Sequence, residues 1–164
     1  MKRNAVLMSL KPLLVALFLM VGVSGFATVP TKVDKAVENM VSKYEDKQGV
    51  ECLRVVKGEG LELIKMMLNK EFGRKFMKGV TSIVIMEYSD APADICQSIR
   101  DDLDMFTSVL EEFDTSAEKE LSSSEFVRCF IGKMDSESIS DFVVVMEDDG
   151  EKMFMYMGGK IIME

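Results

Sequence analysis

Residues 80–88 read VTSIVIMEY, and the rest of the fold is organised around them. β-Branched residues fill it, and the four consecutive positions from Ile83 to Met86 are all apolar. A strand sends successive side chains to opposite faces, so such a run describes an interior strand covered on both sides.

Upstream, residues 61–72 (LELIKMMLNKEF) carry Leu61, Ile64, Leu68 and Phe72 along one side of a helix, with Met67 beside them. Gly73 and Gly79 close this region. Residues 50–57 (VECLRVVK) are bounded by glycines and rich in β-branched residues, so they read as another strand, with Gly58 and Gly60 marking the turn out. A strand, a helix and a strand joined in this way predict a right-handed crossover between parallel strands. Earlier still, Thr31 and Asp34 have the spacing of a capping box. Val33, Val37, Met40 or Val41, and Tyr44 follow at helical period, which predicts a helix from about Lys32 to Asp46.

Downstream, Asp90-Ala91-Pro92 opens the longest expected helix, from about Ala93 to Phe113. Its stripe of Ile95, Ile99, Leu103, Phe106, Leu110 and Phe113 advances by three or four residues at each step. Residues 114–124 (DTSAEKELSSS) are polar and aperiodic, as expected of a loop. Three strands follow: 125–132 (EFVRCFIG), 139–146 (ISDFVVVM) and 152–157 (KMFMYM), the last two joined by the hairpin signal Asp149-Gly150. The order predicts an α+β fold. A mixed β-sheet, strand-helix-strand-helix and then a three-stranded antiparallel meander, would carry helices packed largely on one face.

The core GVECLRVVKGEGLELIK, the strand VTSIVIMEY with the long acidic helix after it, and the meander EFVRCFIGKMDSESISDFVVVMEDDG resemble the family catalogued as domain of unknown function 4252. The resemblance spans most of residues 32–160 and rests on element order and hydrophobic pattern. It implies an exported bacterial envelope protein and brings no catalytic motif with it. Many members of the family are lipoproteins, whereas here the first cysteine is Cys52, too late to hold a lipid at a processed terminus.

Residues 1–27 read as a secretory signal peptide. Lys2, Arg3 and Lys11 form a positive segment, residues 13–23 (LLVALFLMVGV) an apolar run, and Gly25 and Ala27 the small residues of a cleavage site. A bilayer-spanning helix needs roughly 20 apolar residues, more than this run supplies. The expectation is cleavage near Ala27, a mature terminus at Thr28, and one domain over 28–164, exported to the periplasm or secreted. Retention of the leader as an anchor is the alternative. Losing the three cations of the leader takes the formal net charge from −8 to −11. A surface so acidic repels nucleic acid and anionic lipid. The expected partner is therefore another envelope protein, with no nucleic acid and no stable membrane insertion.

The chain has no histidine, which removes Ser/His and Cys/His nucleophile pairs and the usual zinc sites. No catalytic, cofactor-binding or metal-ligating residue is assigned. Asp101, Asp102 and Asp104 lie within a helix, without the alternation and glycine of an EF-hand. They read as a solvated face. The acidic run 147–151 fits a hairpin turn, with adventitious cation binding as the lesser reading. Gly58-Glu59-Gly60 lacks the P-loop signature. Ser122, Ser123 and Ser124 read as loop, and Lys65 and Lys70 as solvated helix residues. Cys52, Cys96 and Cys129 each sit in apolar sequence and are expected to be free, small core residues. Were two of them bridged, Cys52 and Cys129 would be the favoured pair, on strands that could be neighbours.

The unusual feature is methionine, 15 in all. Met153, Met155 and Met157 alternate with Phe154 and Tyr156, and core packing is their expected role. Exposed and convergent, they would instead suit Cu(I). The function expected is a non-enzymatic binding or interaction module of the bacterial cell envelope. The alternatives are a histidine-free enzyme with a carboxylate site and methionine-based Cu(I) handling.

Overall fold

The computed structural model describes residues 31–113, 126–148 and 150–162. Helix α1 (Lys32–Tyr44) begins at the expected capping box. Thr31 Oγ1 accepts from the Asp34 amide at 3.0 Å, and Asp34 Oδ2 accepts from the Thr31 amide at 2.8 Å, so two otherwise unpaired helix-end donors are satisfied. Strand β1 (Glu51–Val55), helix α2 (Glu59–Phe72), the short helix α3 (Arg74–Lys78) and strand β2 (Val80–Glu87) follow. Next come α4 (Ala93–Asp102), a 3-10 turn (Leu103–Ser108), β3 (Glu111–Phe113), β4 (Phe126–Ile131), β5 (Met134–Asp135), β6 (Ser138–Asp148) and β7 (Glu151–Ile162).

The seven strands form one sheet in the order β1-β2-β7-β6-β4-β3, with β5 paired to β6 beside this path. The α+β class holds. The parallel crossover does not: β1 and β2 run antiparallel, with Leu53 opposite Ile85, and every other pairing is antiparallel too. The crossover rule presupposes one connecting helix between parallel strands. Here the helical run breaks at Gly73, and the five-residue α3 turns the chain so that β2 enters against the direction of β1.

Alternation along the central strands produces two cores. Val84, Met86, Val143, Val145, Phe154 and Tyr156 point to one face, where α1, α4 and the 3-10 turn cover them. Phe106 of that turn meets Phe130 and Phe154 at ring separations of 5.8 and 5.7 Å. Ile83, Ile85, Val144, Met153, Met155 and Met157 point to the other face, against Leu61, Ile64 and Leu68 of α2 and Met77 of α3. Helices therefore cover both faces rather than largely one. The two-sided apolar centre of β2 requires this, because a face left in water would expose Ile83 and Ile85.

The expected helix 93–113 is also shorter than its stripe. Thr107 Oγ1 donates to the Asp104 carbonyl at 2.7 Å and Ser108 Oγ to the Met105 carbonyl at 2.8 Å. Such short-range side-chain bonds compete with the helical ladder, and the backbone tightens to 3-10 geometry before entering β3. At the far end, β7 runs on to Ile162 instead of stopping at Met157. It does so by close backbone approach: a Cβ on Gly79 would stand 1.7 Å from the Lys160 carbonyl oxygen. The β6–β7 turn uses Gly150 at φ +106°, a conformation that side-chain-bearing residues rarely adopt. The expectations for residues 1–30 and for the loop 114–124, including the leader, its cleavage site and Ser122–Ser124, lie outside the described residues.

Candidate functional site

Five chemistry-bearing side chains gather where β2 ends and β7 begins. Tyr88 follows the last residue of β2, Cys96 and Arg100 stand one turn apart on α4, and Glu147 and Lys152 face each other across the β6–β7 ladder. Glu147 is 3% exposed. Its inward position continues the alternation of Val143 and Val145, so the strand itself drives the carboxylate into the core. A buried carboxylate is tolerated only when paired and hydrogen-bonded, and here both oxygens have donors. Tyr88 Oη donates to Oε1 at 2.9 Å, and Arg100 donates to Oε2 through Nε at 2.8 Å and through Nη2.

The electrostatics follow from that closure. Burial, reinforced by the Glu147 charge, pushes the Tyr88 hydroxyl far above its ordinary range, so it acts as a fixed donor. The Glu147 hydrogen bond, opposed by burial, holds Arg100 above its usual range. The guanidinium also lies 4.8 Å from the centre of the Phe126 ring. Beside this pair, Lys152 Nζ donates to Cys96 Sγ at 3.2 Å.

Two further clusters fasten α1 to the rest of the chain. Tyr156 Oη lies 3.0 Å from Asp34 Oδ1 and 2.9 Å from Asp141 Oδ1. Burial first, and then the Asp141 and Asp34 charges, raise its phenol strongly. Arg54 on β1 reaches Glu38 at 3.1 Å and Glu45 at 2.7 Å.

The three aspartates of the acidic helix diverge, as their spacing predicts. Asp101 accepts from Gln97 at 2.8 Å, Asp102 from Lys43 and Tyr44, and Asp104 from Arg128 at 2.9 Å. Two of them do more than face solvent. Burial pushes the Asp102 carboxyl up, but the hydrogen bonds from Lys43 and Tyr44 prevail and hold it below the ordinary range. Burial likewise raises the Tyr44 hydroxyl, to about 12. Lys65 is also not a freely solvated lysine, because its side chain is 13% exposed and its amine meets Glu62 at 3.2 Å. Gly58 is the N-terminal cap of α2 and makes no side-chain cap bond. No group of three or more Cys, Asp or Glu placed to hold a metal ion occurs among the described residues.

Met153, Met155 and Met157 are buried beneath α2 and α3, so the exposed, convergent arrangement required for Cu(I) handling is not formed. All three cysteines are free thiols. Cys52 and Cys129 are not neighbours: β2, β7 and β6 separate their strands, and the two residues belong to opposite faces of the sheet. Burial pushes the Cys52 thiol up to about 12.

The Tyr88–Arg100–Glu147 cluster is not among the candidates that the sequence suggests. Two signals mark it in retrospect. Glu147 falls on the inward register of 143-145-147, and Arg100 flanks the Ile99–Leu103 stripe one turn beyond Cys96.

No family model, curated protein or solved structure matches this chain, so the resemblance to the family of unknown function 4252 rests on the sequence pattern alone.

Proposed function

We propose that the protein is a non-enzymatic interaction module of the bacterial cell envelope. In this reading it is exported with cleavage near Ala27, is related to the family of unknown function 4252, and binds another envelope protein. The observation that carries the interaction reading is the outward side of α2. Leu63 is 39% and Met66 62% exposed, one helical turn apart on the helix that covers the methionine face. Large apolar side chains set together on a surface lower their free energy when a partner covers them, and methionine adapts well to a second protein surface.

The ionisable groups favour the same reading over a carboxylate enzyme. A general acid needs a carboxyl whose proton is held more tightly than usual. The Asp102 and Glu112 carboxyls are displaced the opposite way, toward constant ionisation, by the hydrogen bonds of Lys43 and Tyr44 in one case and of Arg128 in the other. The described helices include none long and apolar enough to cross a membrane, and the net charge of −8 disfavours nucleic acid.

The test is affinity capture from envelope extract with the wild type and with a Leu63→Ser/Met66→Ser double variant, followed by mass spectrometry. Retention of one envelope protein by the wild type and its loss from an equally stable variant supports the proposal. Identical retention by both proteins counts against it.

A further inference from the structure

The Cys96–Lys152 contact has no part in the proposed interaction surface, which lies on the other side of the sheet. Sγ is the hydrogen-bond acceptor of Lys152 Nζ at 3.2 Å, a separation within the reach of reacting atoms held for attack. Sγ also lies 3.5 Å from the Ala91 carbonyl oxygen and 3.9 Å from the Tyr88 carbonyl oxygen, acceptors for the thiol proton other than the amine. Lys152 sits opposite Glu147, yet that carboxylate is held by Tyr88 and Arg100. Among the described residues the ammonium thus has a sulfur, rather than a carboxylate, as its hydrogen-bond partner.

We propose that Cys96 and Lys152 are an oxidative cross-linking site, joined by a covalent sulfur–nitrogen bond when the protein meets hydrogen peroxide. In the first step the Cys96 thiol takes one oxygen atom from peroxide, giving a sulfenic acid and one water. In the second, the Lys152 ammonium first gives one proton to solvent, and the lone pair of the resulting amine attacks that sulfur. The S–O bond breaks, the S–N bond forms, and a second proton of the nitrogen leaves with the hydroxyl as water. Sulfur is oxidised by two electrons and peroxide is reduced to two waters.

Position favours this product over a disulfide. Cys129 belongs to the opposite face of the sheet, and Cys52 lies on the edge strand β1, separated from β7 by β2. The Lys152 amine is the nucleophile already in contact. The bond would staple α4 to β7 and close a long loop, which raises resistance to unfolding.

The experiment treats the folded full chain with a small excess of hydrogen peroxide, alkylates it under denaturing conditions, and maps the peptides by mass spectrometry. The expected product is one linked pair of peptides containing Cys96 and Lys152, lighter than their sum by two hydrogen atoms and released by a thiol reductant. Cys52 and Cys129 should be recovered alkylated. The oxidised wild type should melt at a higher temperature than the reduced form, a shift absent from Lys152→Arg, which keeps the positive charge without the amine. Recovery of Cys96 as sulfinic or sulfonic acid with Lys152 unmodified would overturn the proposal. So would a disulfide to either other cysteine, or an unreacted Cys96.

Discussion

Tyr88 Oη donates to Glu147 Oε1 at 2.9 Å, joining the end of β2 to the end of β6 across the intervening strand β7. The bond satisfies a carboxylate with almost no access to water, so its loss leaves a charged acceptor short of a donor. Tyr88→Phe should therefore cost roughly 1–3 kcal/mol, the range for leaving a buried polar group unsatisfied. Urea denaturation checks this, and Glu147→Ala should be worse, because both Tyr88 and Arg100 then lose their acceptor.

The acid limb of the stability curve should report the Arg128 ion pairs. Arg128 reaches Glu112 at 2.7 Å and Asp104 at 2.9 Å, and its hydrogen bond draws the Glu112 carboxyl below the ordinary range. A carboxyl lowered on folding contributes stability above its unfolded value, and that contribution is lost as pH falls through the folded value. Stability should thus decline below a pH of about 4.5, where an ordinary glutamate protonates. Glu112→Gln should flatten that decline while leaving the slope near neutral pH unchanged, as thermal melts over a pH series would show. The pair is partly exposed, so the effect should weaken in high salt.

The capping box is the local feature most open to direct measurement. Thr31→Ala removes the acceptor for the Asp34 amide and should cost about 1 kcal/mol. Asp34 also meets Tyr156, so Asp34→Ala should cost more than the cap alone.

Backbone approach at the end of β7 gives a sharper outcome. A methyl group on Gly79 would overlap the Lys160 carbonyl, and neither backbone can move without disturbing the β2–β7 ladder. Gly79→Ala should destabilise by at least 1–3 kcal/mol, roughly the penalty for overpacking. Gly58→Ala meets no atom within 4 Å, and its penalty should come from φ of +86° alone. Thermal melts of the two variants would separate steric overlap from backbone strain.

The sequence reading succeeded where one physical effect dominates. The capping box and the apolar stripe after it located α1, and the alternation of β7 assigned each methionine to a face. It failed where the outcome depends on distant partners. Nothing in VECLRVVK shows that β1 pairs antiparallel to β2, because the direction is set by the break at Gly73 and the turn through α3. The stripe from Ile95 to Phe113 is helical in period throughout, but Thr107 and Ser108 bond the preceding carbonyls and end the helix early. The candidate cross-linking pair was illegible for a similar reason, since Cys96 and Lys152 are 56 residues apart and meet only once α4 lies on the sheet.

The sheet is covered on both faces, and its methionine stripe is part of the core. Met155 sits at the centre of that stripe, 1% exposed between Ile85 and Val144. Equilibrium unfolding of Met155→Ala should show a loss of roughly 2–5 kcal/mol, the range for truncating a large buried side chain. A variant whose stability stays within about 0.5 kcal/mol of wild type, as for a surface substitution, would contradict the two-sided core.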